Sequence, residues 1–221
     1  MSKRKRKLKR KKGLPKTKRL TPVQIVEYEI TFEPIGEPEY DRLPESVKTR
    51  IDELYGEIQN NPQEVIPELL ELKKKHPDVP QIYNYLAVAY SMIGDDEKSD
   101  AIIDEILQKK PDYLFARLNK AQRHLAKKEY EKIPELFDHK FDLKLLYPHR
   151  NTFHISEVAN FMGTMGLYFA RTNQREVAEK YNEILQQLDP DYPIAKMLDL
   201  ELNPSAILQI LKRLAGENLD E

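Results

Sequence analysis

Cysteine is absent from all 221 residues. The chain therefore forms no disulfide and no thiolate metal site, a composition suited to the reducing cytosol. Glycine is scarce, with seven residues, which favours helix over sheet. No apolar run approaches the roughly 18 residues that a membrane span needs, so no transmembrane helix is expected. The basic N-terminus has no apolar segment behind it and does not read as a secretory signal. No phosphate-cradling glycine loop, dinucleotide fingerprint or nucleophile setting around Ser occurs. Nothing in the sequence asks for catalysis, a cofactor or a metal. His149, His154 and Glu157 lie close to Asp138, His139 and Asp142 in sequence. Their spacing matches no zinc motif, and a polar linker is expected there. Asp95/Asp96 and Asp189/Asp191 read as turn and cap residues at helix boundaries.

What is present is uneven in charge. The formal net charge is −1, with 36 Lys/Arg and 37 Asp/Glu. Residues 1–20 hold 12 of those Lys/Arg and no acid, leaving 24 Lys/Arg against 37 Asp/Glu in the body, a net of −13. Lys3, Arg4, Lys5, Arg6, Lys7, Lys9, Arg10, Lys11 and Lys12 form the core of this tail. Like-charge repulsion predicts a disordered tail. It reads as a solubilising arm or one folded back on the acidic body, a salt-sensitive nucleic-acid contact or, in a eukaryote, a nuclear address. No aromatic residue is interleaved with the basic ones, so base stacking has no support.

Residues 21–45 differ again. Val26-Glu27-Tyr28-Glu29-Ile30-Thr31-Phe32 alternates apolar with polar side chains, the pattern of a strand. Pro34, Gly36, Pro38 and Pro44 follow as a linker. The strand reads as a lone one. It either packs along the helices or pairs with the same segment of another chain, and the first is expected.

The rest is organised around Asp78–Pro111, a stretch of 34 residues holding two amphipathic segments split at Gly94-Asp95-Asp96. Such a hairpin cannot bury its apolar face alone and needs stacked copies. Helical hairpins are predicted over 46–59 and 62–76, over this central stretch, over 113–127 and 130–137, and over 153–172 and 175–188. Pro67 and Pro134 recur early in their helices, where a first-turn Pro loses no hydrogen bond. Pro111 and Pro190 stand two repeats plus 11 residues apart, so the period slips by 11. The surplus falls in an insertion at about 138–153. A segment over 193–202 and a capping helix over about 205–215 close the array.

The repeats resemble tetratricopeptide repeats over about 46–202. Tyr83, Leu86, Ala87, Tyr90 and Gly94 occupy signature positions, as do Ser99, Ile103 and Ile106, with Ser99 in place of the usual Ala. The third hairpin keeps Ala121 and Phe137 but puts Arg117 and Lys120 where bulky apolar residues are usual. The fourth keeps Gly166, Phe169, Ala178 and Leu185. The resemblance implies an all-α fold: a right-handed superhelical array of helical hairpins in a 46–216 domain. It also implies a concave groove that binds a peptide or helix of a partner protein.

Carried onto this chain, the groove-lining positions include Gln81, Asn84, Val88 and Met92, then Phe115, Leu118, Asn119 and Gln122, then Asn160, Gly163, Leu167 and Arg171. Of the family's carboxylate-clamp positions only Asn119 matches; Asn84, Val88, Asn160 and Thr164 do not. That argues against an acidic C-terminal peptide as ligand. Gly163, inside a helix, admits either a close neighbouring helix or an extended backbone laid over it, from a partner or from the strand 26–32 of this chain. On the second reading Gly163→Leu would weaken binding without unfolding the array. The sequence thus reads as a non-catalytic, cytoplasmic scaffold or adaptor. The alternative is a nucleic-acid- or ribosome-associated protein that binds through its tail while the array recruits a protein.

Overall fold

The computed structural model describes residues 27–204. The basic tail, including Lys3 to Lys12, and the expected capping helix lie outside the described residues. The order is β1 (Glu29–Thr31), α1 (Pro38–Asp41), α2 (Glu45–Ile58), α3 (Pro62–Lys75), α4 (Pro80–Met92), α5 (Asp96–Lys109) and α6 (Leu114–Lys127). A 3-10 turn, Tyr130–Lys132, runs into α7 (Ile133–Leu136), followed by α8 (Leu143–Leu146) and β2 (Thr152–His154). Then come α9 (Ile155–Arg171), α10 (Arg175–Leu188) and α11 (Pro193–Leu202). The described residues are mostly helical, and successive helix pairs pack on their neighbours.

The central pair shows why the chain folds this way locally. Pro80 opens α4 at its first turn, where its missing N–H costs nothing. Gly94 turns the chain with φ of 76°, a conformation that favours glycine. Asp95 then caps α5 by accepting from the Lys98 N–H at 3.2 Å. Ile82, Tyr83 and Leu86 on α4 are buried in one core with Ile102, Ile103 and Ile106 on α5. The Ser99 hydroxyl, 1% exposed, donates to the Ala87 carbonyl at 2.9 Å. A polar side chain is thereby satisfied where the family resemblance expects Ala.

Three sequence expectations change. The strand is not alone: β1 pairs in parallel with β2, with Glu29 opposite Thr152, Ile30 opposite Phe153 and Thr31 opposite His154. Its partner lies inside the 138–153 surplus and just beyond it. Extended backbone needs partners for its N–H and C=O groups, and three residues of TFH are too few to announce a strand. The second helix of the third hairpin, expected over 130–137, begins as the 3-10 turn Tyr130–Lys132 and is α-helical only over Ile133–Leu136, and beyond it Asp138 and His139 turn the chain with left-handed φ of 51° and 56°. Pro67 lies in the interior of α3, beyond the first turn, and so removes a helix hydrogen bond. Pro134 does sit in the first turn of α7.

The buried apolar side chains fall into two clusters. One joins α2, α3, α4 and α5 and takes Tyr113 and Ala116 from the start of α6. The other takes Leu114, Leu118, Ala121 and Leu125 of α6 and continues through α9, α10 and α11. Phe115 packs against both.

Candidate functional site

A cleft of about 300 Å³ opens between α4, α5 and α6. Val88, Ser91 and Met92 of α4 face Asn119, Gln122 and Ala126 of α6. Ala87, Ser99 and Ile103 complete the floor, and Arg123 stands in the wall. The room comes from small side chains at 87, 91, 99 and 126. Met92, 45% exposed, brings a flexible thioether to the rim, a side chain that adapts to varied apolar surfaces.

Four of the predicted groove residues meet there: Val88, Met92, Asn119 and Gln122. Asn84 joins them, since Asn119 Nδ2 donates to Asn84 Oδ1 at 2.8 Å. Gln81 is half-buried, with its Oε1 enclosed and unpartnered. Phe115 is half-buried between the two apolar clusters.

The remaining predicted positions face elsewhere. Leu118 and Leu167 are 1% and 2% exposed, so both are core residues. Gly163 is buried, and a Cβ there would come within 2.6 Å of Ile194. It is α11, not an extended backbone, that lies over Gly163. Gly166 meets Leu198 of α11 in the same way. Asn160 donates to the Ser156 carbonyl at 2.8 Å and to the Tyr192 hydroxyl at 3.1 Å. Arg171 pairs with Glu201 of α11 at 2.9 Å. The fourth hairpin's inner face is thus covered by α11. The sequence places α11 next in the array without revealing which side chains it covers.

Arg123 was not among the predicted residues. Its Nη1 lies 2.6 Å from Asp96 Oδ1 and its Nε 3.1 Å from Asp100 Oδ1. Arg123 holds the Asp96 carboxyl below its ordinary pKa through that hydrogen bond. The spacing Lys120, Arg123, Lys127 against Asp96, Asp100, Asp104 was the available signal, at three- and four-residue steps on two helices.

Three members of the histidine and acid group, His154, Glu157 and Asp142, have structural roles. His154 Nδ1 accepts from the Ser156 N–H at 3.2 Å, and Glu157 Oε2 accepts from the His154 N–H at 2.9 Å. Together they cap α9. Arg150 grips Glu157 with two bonds of 2.9 and 2.7 Å. Asp142 caps α8. Among the described residues no group of three or more His, Asp or Glu side chains is arranged to hold a metal ion. Nor is any described helix long and apolar enough to cross a membrane.

Comparison with family models, curated proteins and solved structures finds no match to this chain. The fold and cleft define a class, a mostly helical protein of packed helix pairs with an open inter-helix cleft.

Proposed function

We propose that the chain is a non-catalytic adaptor, a tetratricopeptide-like superhelical array whose α4–α6 cleft takes a segment of a partner protein. One observation carries the reading: the cleft gathers Val88, Met92, Asn119 and Gln122 from the groove positions that the repeat pattern assigns. Its apolar floor and amide-bearing rim suit an extended or helical segment. An apolar side chain would enter, and the ligand's backbone would be held by Asn and Gln. Capture from a lysate of the source organism, with intact protein and with Gln122→Glu, tests it. The charge at the rim should remove the partner while helical content is unchanged.

A second reading rests on the tail, with 12 Lys/Arg and no acid in residues 1–20. Phosphate contacts made by such a segment weaken steeply with salt. Retention of RNA at low salt that is lost at high salt, and lost on deleting residues 1–20, supports it. No retention by the full chain refutes it.

A further inference from the structure

The two apolar clusters meet at a seam that is mostly ionic. Most of the buried side chains of α6 belong to the cluster shared with α9, α10 and α11. Toward α5, α6 presents charge. Lys120 Nζ lies 2.6 Å from Asp104 Oδ1. Arg123 bridges Asp96 and Asp100 at 2.6 and 3.1 Å. Lys127 Nζ lies 2.6 Å from Asp100 Oδ2. Beside these ion pairs, the seam holds the Asn119–Asn84 hydrogen bond at 2.8 Å and the apolar side chains of Tyr113, Ala116 and Phe115. The candidate cleft, with Arg123 in its wall, lies on this seam.

The N-terminal segment crosses the same boundary. Tyr28 and Ile30 pack against the second cluster, and Tyr40 and Leu43 against the first. Between them Phe32 is 74% exposed and Ile35 39%; the linker runs exposed over 32–36 and enters the seam at Glu37, beside Lys110 and Glu157. Glu39 pairs with Lys110 at 2.7 Å, just before α6.

We propose that the array is two packed halves hinged at the α5–α6 seam, and that ionic strength sets how far the cleft opens. An apolar interface resists salt, whereas exposed ion pairs are screened by it. Three of the four pairs have one exposed partner, Asp96 at 58%, Asp104 at 50% and Lys127 at 48%, through which salt reaches them, while Arg123–Asp100, at 14% and 21%, is sheltered. The Debye length falls from about 10 Å at 0.1 M to about 3 Å at 1 M salt. The strap over 32–37 limits the swing. The significance for binding rests on the groove reading above, but the motion itself is measurable without any partner.

The absence of cysteine makes the test direct. Gln63→Cys on α3 and Glu183→Cys on α10, both exposed, carry spin labels on opposite halves. Gln63→Cys with Gln108→Cys is a control pair within one half. Pulsed dipolar distances are read at low and high NaCl, with circular dichroism to confirm a folded chain. The expected result is a cross-seam distribution that shifts or broadens in high salt, a control distribution that does not, and Asp100→Asn reproducing the shift at low salt. Superimposable cross-seam distributions in both salts overturn the hinge, as does equal movement of the control pair or a salt shift that Asp100→Asn fails to mimic. A failed hinge leaves the adaptor reading standing, and a failed capture leaves the hinge standing.

Discussion

Asn119 donates through Nδ2 to Asn84 Oδ1 at 2.8 Å, joining α6 to α4 across 35 residues of sequence. That separation is one residue more than the repeat, so the bond links nearly equivalent positions of neighbouring hairpins. It also fixes the amides at the rim of the cleft. A hydrogen bond of this kind contributes about 1 kcal/mol net. Asn119→Ala should lower the urea unfolding free energy by about that amount, and adding Asn84→Ala should cost little more. Strictly additive losses would show that the two amides do not support each other.

The approach of α11 to α9 depends on residues 163 and 166 having no side chain. Gly163→Ala places a Cβ about 2.6 Å from Ile194. The gain in helix propensity, about 1 kcal/mol, is opposed by overpacking of about 1–3 kcal/mol. Ile194→Ala alone should cost about 2–5 kcal/mol. The double variant should cost less than the two singles together in thermal unfolding. The same geometry predicts that Gly163→Leu destabilises the protein by displacing α11, rather than acting on a partner alone.

These two sites show what the sequence could and could not reveal. Apolar periodicity, Pro80, Gly94 and Asp95 place the long helices to within about two residues, because each signal is local, whereas the short α1, α7 and α8 carry too few residues for a period. The inner face of α9 was not legible. Gly163 reads the same whether a ligand or α11 covers it, and only the packing decides. Thr152–His154 was missed as a strand because three residues carry no alternation, and its partner lies 123 residues away. Arg117 and Lys120 stood out as departures from the repeat pattern, and their partners explain them. Arg117 Nε donates to the Pro111 carbonyl at 2.6 Å and Lys120 to Asp104 at 2.6 Å.

The β1–β2 pair anchors the N-terminal segment through Phe153. Its ring is 0% exposed, 5.0 Å from Tyr28 edge-to-face, with the Arg150 guanidinium 4.4 Å from its centre. Phe153→Ala should cost about 3–5 kcal/mol and speed amide exchange across residues 29–31. Phe32→Ala, at a ring 74% exposed, should be nearly neutral. Equal effects of the two would contradict this placement.

Burial raises the Glu37 carboxyl to about 7, with neighbouring Lys110 opposing the shift and Glu39 and Glu157 adding to it. The sign follows from linkage. Between pH about 4.5 and 7 the unfolded chain loses this proton while the folded chain keeps it, so its contribution to stability falls as pH rises. Glu37→Gln mimics the protonated form and should flatten that part of the profile. The gain at pH 8 should be on the order of 1 kcal/mol, after allowance for partial exposure. Thermal unfolding at pH 5 and pH 8 reads it, and a gain equal at both pH values would refute the assignment.

The central claim is that the α4–α6 cleft receives a partner protein. Photo-crosslinking tests it most directly. A photoreactive amino acid replaces Gln122 in the cleft or, as control, the exposed Glu183 on α10. Irradiation in a lysate of the source organism should yield a discrete adduct from position 122 that is absent from position 183. Filling the cleft with Ser91→Trp should abolish that adduct without loss of helical content. Adducts of equal yield from both positions, or an adduct from 122 that survives Ser91→Trp, would contradict the account.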